Sequence, residues 1–256
     1  MQPFLSMLSI VALGYLAVCG LLFFAQRSQI YFPVPESTAP GAEALEIESA
    51  GVTLKVWALR REGSKALIYF GGNAENVALN LPGFSAALPE HSLYLVNYRG
   101  YGGSSGRPSE PGLRADALAV HGYIAQRHTH LDAMGRSLGA GVATYLASER
   151  PIERLVLVTA FDSMVKMAQH YYWWLPVGLL LRDRYESDRL APKVTSPVLM
   201  VIAGNDDVVP RERSDALAAA FGPGQAEVVV VEGAAHNTLD YSGEYLGALR
   251  RFLHDF

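Results

Sequence analysis

Cysteine is almost missing from this chain: Cys19 is the single one in 256 residues. No internal disulfide framework can form, and there is no thiolate cluster for zinc. The seven histidines, including the close pair His128 and His130, lack a companion set of carboxylates and cysteines at ligand spacing, so no metal is expected. Charge is thin as well. Only 18% of residues are charged and the formal net charge is -4, which leaves no basic stripe to neutralise phosphates and excludes nucleic acid as a partner. No internal repeat is present. The glycine-rich run Gly100 to Gly106 has no Lys-Ser/Thr ending and no G-x-G-x-x-G spacing before a helix, so it reads as a flexible loop and not as a phosphate cradle. No cofactor is expected. What the chain has instead is apolar mass, 50% hydrophobic residues in a length that buries one sizeable core without staples.

No charged side chain precedes Arg27. Residues 1–27 therefore form a segment long enough to cross about 30 Å of hydrocarbon as a helix, and a single-pass membrane anchor is expected. The competing reading is a cleaved signal peptide. Against it stand the missing basic n-region, a run longer than an h-region, and no A-x-A site. A lipoprotein reading of Leu16-Ala17-Val18-Cys19 meets a bulky Val18 and an apolar run that continues past the cysteine. Arg27 alone gives a positive-inside lean, with the C-terminal body on the cytoplasmic side. Residues 28–41 carry Pro33, Pro35 and Pro40, a composition suited to a semi-rigid tether that lifts the body off the bilayer. The folded body is expected over 42–256, as a monomer.

Within that body, short β-branched runs alternate with helix-length segments, the pattern of an α/β fold built on a largely parallel sheet with helices on both faces. The runs predict eight strands: Leu45–Glu48, Val52–Leu59, Ala66–Phe70, Leu93–Tyr98, Leu131–Gly135, Leu155–Thr159, Val198–Ala203 and Glu227–Glu232. The first two form an antiparallel edge hairpin and the other six run parallel. Helices are expected over Asn76–Leu88, Glu110–Arg127, Leu138–Ser148, Pro210–Phe221 and Asp240–His254. Between the sixth and seventh strands lies an aromatic insertion, about 161–195, with Tyr171-Tyr172-Trp173-Trp174 and Leu179-Leu180-Leu181. Its aromatics read equally as core-packing and as substrate-facing.

The stretch Gly135-Arg136-Ser137-Leu138-Gly139 follows an apolar run and precedes a small-residue helix. In a G-x-S-x-G turn the serine sits at a strained strand-to-helix junction, and the flanking glycines remove side chains that would clash. A helix N-cap is the bland reading of Ser137, but capping does not require glycines on both sides. Downstream come Asp206, in Asn205-Asp206-Asp207-Val208-Val209-Pro210, and His236, in Ala235-His236-Asn237, each just after a β-type run. Serine, acid, histidine is a recurring hydrolase order.

On these motifs residues 30 to 256 resemble the α/β-hydrolase superfamily, in particular its membrane-anchored members with an N-terminal span and a short cap. The resemblance implies an eight-stranded α/β-hydrolase fold with a lid over 161–195. It also implies a serine hydrolase acting on an acyl ester or thioester of a lipid or acyl-protein-like substrate, since known activities there include thioesterases and lysophospholipases. Carried over by motif, Ser137 is the nucleophile, His236 the base and Asp206 the group orienting the imidazole. The family register of acid, any residue, two apolar residues and proline selects Asp206 over Asp207. Asp162, after the sixth strand, stands where some members carry the acid; its alternative is to cap the first lid helix. The oxyanion donors implied are the backbone N–H groups of Leu138 and of Asn73, in Gly71-Gly72-Asn73-Ala74-Glu75-Asn76. Gly71 replaces the usual histidine of that loop, which leaves its bracing open. Lid residues Tyr171, Tyr172, Trp173, Trp174, Leu179 and Leu180 are the candidates to face an acyl chain.

Two other readings stay open. A peptidase or amidase of the same fold meets the lack of a propeller-sized domain and of acidic surface near the lid. A catalytically silent, membrane-bound interaction module meets the presence of all three chemical positions. Carboxylate-nucleophile chemistry, as in dehalogenases and epoxide hydrolases, is argued against by Ser137.

Overall fold

Strands that are buried on both faces need apolar side chains at every position, and strands with one wet face need alternation. Both patterns occur. In the computed structural model, which describes residues 2–239 and 242–254, β1 (Glu43–Ser49) alternates exposed and buried positions and pairs antiparallel with β2 (Val52–Leu59). In β4 (Ser92–Val96), β6 (Leu155–Val158) and β7 (Val198–Ala203) every residue is buried. With β3 (Lys65–Phe70), β5 (His130–Arg136) and β8 (Ala226–Val231) they form one eight-stranded sheet in the order β1-β2-β4-β3-β5-β6-β7-β8. β2 joins β4 antiparallel, and from β4 to β8 every pairing is parallel. This is an α/β-hydrolase fold. All eight expected strands are present, with ends shifted by two residues at most.

Helices cover both faces. Leu113, Ala117, Val120 and Ile124 of α3 (Glu110–Ile124), Val142 and Leu146 of α4 (Leu138–Glu149) and Leu217 of α8 (Arg211–Ala220) enter one core. Leu81 and Phe84 of α2 (Leu81–Ala87) and Tyr245, Leu249 and Leu253 of α9 (Gly243–His254) enter the other. The single helix expected over Asn76–Leu88 is a 3-10 turn, Val77–Asn80, followed by α2. Pro82 in the first turn of α2 cannot donate to an uninterrupted α-helical ladder, which accounts for the break. Asp240, the expected start of the last helix, lies outside the described residues. The insertion between β6 and β7 folds as three short α-helices, α5 (Met164–Tyr171), α6 (Val177–Leu180) and α7 (Ser187–Leu190), and a 3-10 turn, Ala191–Lys193.

The N-terminal segment departs most from expectation. It is one helix, α1 (Gln2–Ile30), of 29 residues, long and apolar enough to cross a membrane. Far from being held off, its C-terminal half packs on the insertion: Cys19 clusters with Leu175 and Val177, and Tyr15 meets Trp174 edge-on with ring centroids 6.5 Å apart. At the end of α1, Arg27 donates two hydrogen bonds to Asp183, at 3.0 and 3.2 Å. Asp183 is buried and also accepts from Tyr31. The proline-containing stretch after α1 is likewise a strap pressed on the body. Tyr31 and Ala39 are buried, Gly102 N donates to Val34 O, and Ser37 donates to Asn76. Three prolines stiffen the chain but do not dictate that it stands clear; buried Tyr31 is worth more against the core than in water. The folded body therefore starts before Ala42.

Candidate active site

The loops at the carboxyl ends of β3, β5, β7 and β8 converge, as expected where strand order reverses in an open parallel sheet. After β5 the chain turns so sharply that a Cβ on Gly135 would lie 2.2 Å from Gly139 O, and one on Gly139 would lie 2.1 Å from Phe70 O. Between them Ser137 adopts φ 50° and ψ -113°, a strained conformation for a residue with a side chain. Its N–H donates to Val158 O at 2.8 Å, which pins the turn to β6. Ser137 Oγ makes no capping bond to α4. It lies instead 3.1 Å from His236 Nε2.

His236, 6% exposed, has its other ring nitrogen 3.0 and 2.9 Å from the two carboxylate oxygens of Asp206. Asp206 Oδ1 accepts in addition from Val208 N and Val209 N, at 2.9 and 2.7 Å. Burial by itself would raise this carboxyl's pKa; the bonds from His236, Val209 and Val208 outweigh it and hold the pKa below its ordinary value. Asp207 is exposed. Asp162 is fully buried elsewhere, accepting from Lys166 at 3.0 Å and Arg213 at 3.4 Å, so it does not face the imidazole. The cap of α5 is Ser163 and not Asp162.

The backbone N–H of Leu138, at the start of α4, and that of Asn73, after β3, have no hydrogen-bond acceptor among the described residues. The Asn73 side chain fixes its own loop by accepting from Phe32 N (2.9 Å) and Tyr101 Oη (2.8 Å) and donating to Ile30 O (2.7 Å). Tyr98 donates to Gly71 O at 2.7 Å, and burial pushes that phenol well above its usual pKa, so it remains a donor at any working pH.

Two residues that the sequence did not point to complete the framework. Glu75 accepts from Gly72 N, Tyr69 Oη and Asn80 Nδ2, each at 2.6 Å. Arg136, 6% exposed and immediately before Ser137, donates to His236 O at 2.9 Å and has Nη1 3.8 Å from Glu75 Oε2. One guanidinium thus ties the serine turn, the histidine loop and the β3 loop together. A charged side chain in the middle of a motif that must be buried was the available signal, since such a charge requires partners. The bracing left open by Gly71 comes from Glu75: a Cβ on Gly71 would meet Val77 Cγ1 at 2.6 Å and Glu75 Cδ at 3.2 Å, so the carboxylate occupies the room that a larger residue at 71 would take.

Ser137 sits where two cavities meet. One, of about 380 Å³, is walled by Leu22, Gln26 and Ile30 of α1 and by Met167, Tyr171, Tyr172 and Leu180 of the insertion. The other, of about 750 Å³, is lined by Glu75, Asn76, Asn80, Arg136, His236 and Asn237. Of the expected lid contacts, Tyr171, Tyr172 and Leu180 line the apolar cavity. Trp173, Trp174 and Leu179 do not: Trp173 and Leu179 are 79% and 86% exposed, and Trp174 packs edge-on against Tyr15 of α1. Among the described residues no group of histidines, cysteines and carboxylates is arranged to hold a metal.

A sequence model described as "Serine hydrolase (FSH1)" matches residues 96–237. A Mycobacterium tuberculosis protein is 35% identical over 269 residues, covering 97% of this chain and 94% of its own length. The Schizosaccharomyces pombe protein bem46 is 26% identical, covering 90% and 82%. Among solved structures, an esterase of Pyrococcus furiosus superposes with a TM-score of 0.71 at 18% identity, covering 87% of this chain and 97% of that one. Est1E of Butyrivibrio proteoclasticus, solved with ferulic acid bound, gives 0.64 at 18%, covering 82% and 97%.

Proposed function

The chain belongs to the FSH1 serine hydrolase family, and from that premise we propose that it cleaves an acyl ester or thioester through an acyl-enzyme on Ser137. The observation that carries this reading is the line Ser137 Oγ, His236, Asp206 at hydrogen-bond distances in a buried turn. His236 Nε2 takes the hydroxyl proton as Oγ adds to the substrate carbonyl, and ionised Asp206 stabilises the imidazolium. The resulting oxyanion accepts from Leu138 N–H, at the start of α4, and from Asn73 N–H, in a loop that the bonds of its own side chain hold in place. Collapse expels the alcohol or thiol, protonated by His236, and leaves the acyl group on Ser137. Water, deprotonated by the same imidazole, then releases the acid.

The two cavities support one substrate class. The apolar one suits an acyl chain, and the other, whose lining mixes Glu75, Asn80 and Arg136 with Leu79, Phe84 and Leu246, suits a leaving group with hydrogen-bonding atoms, a division that supports an amphiphilic substrate. The long apolar α1 supports a single-pass anchor. The test is a series of p-nitrophenyl esters on the full chain. Four methylenes added between acetate and hexanoate contribute up to about 3 kcal/mol if the apolar cavity takes them, so kcat/KM should rise along the series. A steady fall from acetate onward removes the acyl-chain reading.

A further inference from the structure

Length sets a problem for the anchor. If α1 crosses a bilayer, as the reading above holds, the part of it that stands free of the insertion runs only from Gln2 to Gly14, because Tyr15 already meets Trp174. That free part is about 20 Å long at the α-helical rise, against about 30 Å of hydrocarbon. Arg27, at the other end, is fastened to buried Asp183 and cannot swing away from the body. Over the described helix, Gln2–Ile30, a crossing of about 30 Å uses turns that the insertion touches, and the insertion then enters the bilayer with it, to a depth on the order of 10 Å.

Its composition fits that position. From Tyr171 to Leu181 no residue is charged, and Trp173 and Leu179 project outward almost fully exposed beside Trp174. Backbone carbonyls in hydrocarbon need donors supplied by the protein. Here Tyr15 Oη donates to Trp174 O at 3.0 Å and Gln26 Nε2 to Leu180 O at 3.1 Å. Gln169 Nε2 lies 3.2 to 3.4 Å from the carbonyls of Tyr172, Trp173 and Leu175. Gln26 also accepts from Arg182 N at 2.7 Å. Three side chains, two of them from the apolar helix itself, are aimed at the irregular backbone of this loop.

We propose that the tip of the insertion, carrying Trp173, Trp174 and Leu179, is embedded in the acyl region of the membrane alongside α1, so that the apolar cavity behind it receives its acyl chain laterally from the bilayer. The substrate is then a membrane-resident acyl lipid or lipid-modified protein, and a water-soluble short ester is not its natural form.

The chain has three tryptophans, of which Trp57 is buried in the body. Full-length Trp57→Phe protein reconstituted in phosphatidylcholine vesicles reports on Trp173 and Trp174 alone. Bromine on the acyl chains should quench most of the emission, and aqueous iodide should quench little. Emission quenched by iodide and untouched by brominated lipid, in protein that still floats with vesicles, overturns the proposal while leaving the anchor intact. Protein that fails to float removes the anchor and the proposal together. A second variant needs no spectroscopy. Combined W173E and L179E should lower hydrolysis of a long-chain monoacyl lipid in vesicles by at least about tenfold and leave p-nitrophenyl acetate hydrolysis unchanged, given the penalty for a charge placed in hydrocarbon. Unchanged lipid hydrolysis overturns the proposal. Loss of acetate hydrolysis in the unsubstituted chain would instead count against the serine hydrolase mechanism itself.

Discussion

Asp206 and Asp207 are adjacent in the chain, and their environments differ by everything that matters to a carboxylate. One is held by an imidazole and two backbone N–H groups; the other faces solvent. Asp206→Asn should lower kcat about ten-thousand-fold by favouring the wrong imidazole tautomer, whereas Asp207→Asn should change it little. Reversal of the two results would show that Asp207 is the acid. Because the folded-state pKa of Asp206 lies below its ordinary value, ionised Asp206 contributes stability that is present above about pH 4 and is lost as pH falls through the folded value. The melting temperature of Asp206→Asn should accordingly lie below that of the parent at pH 6, with the gap closing toward pH 3. A gap that widens in acid contradicts the assignment. Arg136 and Glu75 act one step back, through the loops they hold. Arg136→Lys cannot reach two partners with one fork, and Glu75→Gln sets an amide donor against one of three donors. Each should reduce kcat by about tenfold to a hundredfold with KM nearly constant, as expected for a small displacement of donor or base. A change confined to melting temperature, or to KM, would make them merely structural.

At the scale of elements, the strands were readable because parallel strands buried on both faces are written as continuous apolar runs, and the serine turn because its glycines are obligatory. Gly139→Ala would place a methyl against the Phe70 and Gly71 carbonyls. It should destabilise the fold by about 3 kcal/mol or more, seen as a lower midpoint in urea with unchanged slope. A neutral result would mean that β3 and the turn are less close than described. The insertion was not readable in the same way. Its aromatic run has neither a 3.6-residue nor a two-residue period, so the sequence does not say which rings reach the cavity; Tyr171 and Tyr172, though half exposed, line it and Trp173 does not. The Gly71 and Glu75 arrangement was also hidden, since a carboxylate four residues away bracing a loop leaves no local pattern.

For the molecule as a whole, the consequence is that α1, strap and catalytic body form one structure. Ile30 O and Phe32 N hold Asn73, and Tyr31 fills the core next to Tyr185, to which its hydroxyl lies at 2.9 Å. A chain beginning at residue 42 should therefore melt well below the full chain and lose most esterase activity, through lost burial and a freed Asn73 loop. Full activity in that shortened chain would mean that the strap is dispensable. Beneath all of this lies one claim, that Ser137 is the nucleophile. The most direct measurement treats the full chain with a fluorophosphonate, maps the adduct by mass spectrometry and repeats the reaction with Ser137→Ala. A single adduct on Ser137, absent in the variant, with turnover reduced about a million-fold and the melting transition retained, is the expected result. An adduct on a different serine, or turnover that survives in Ser137→Ala, would contradict it.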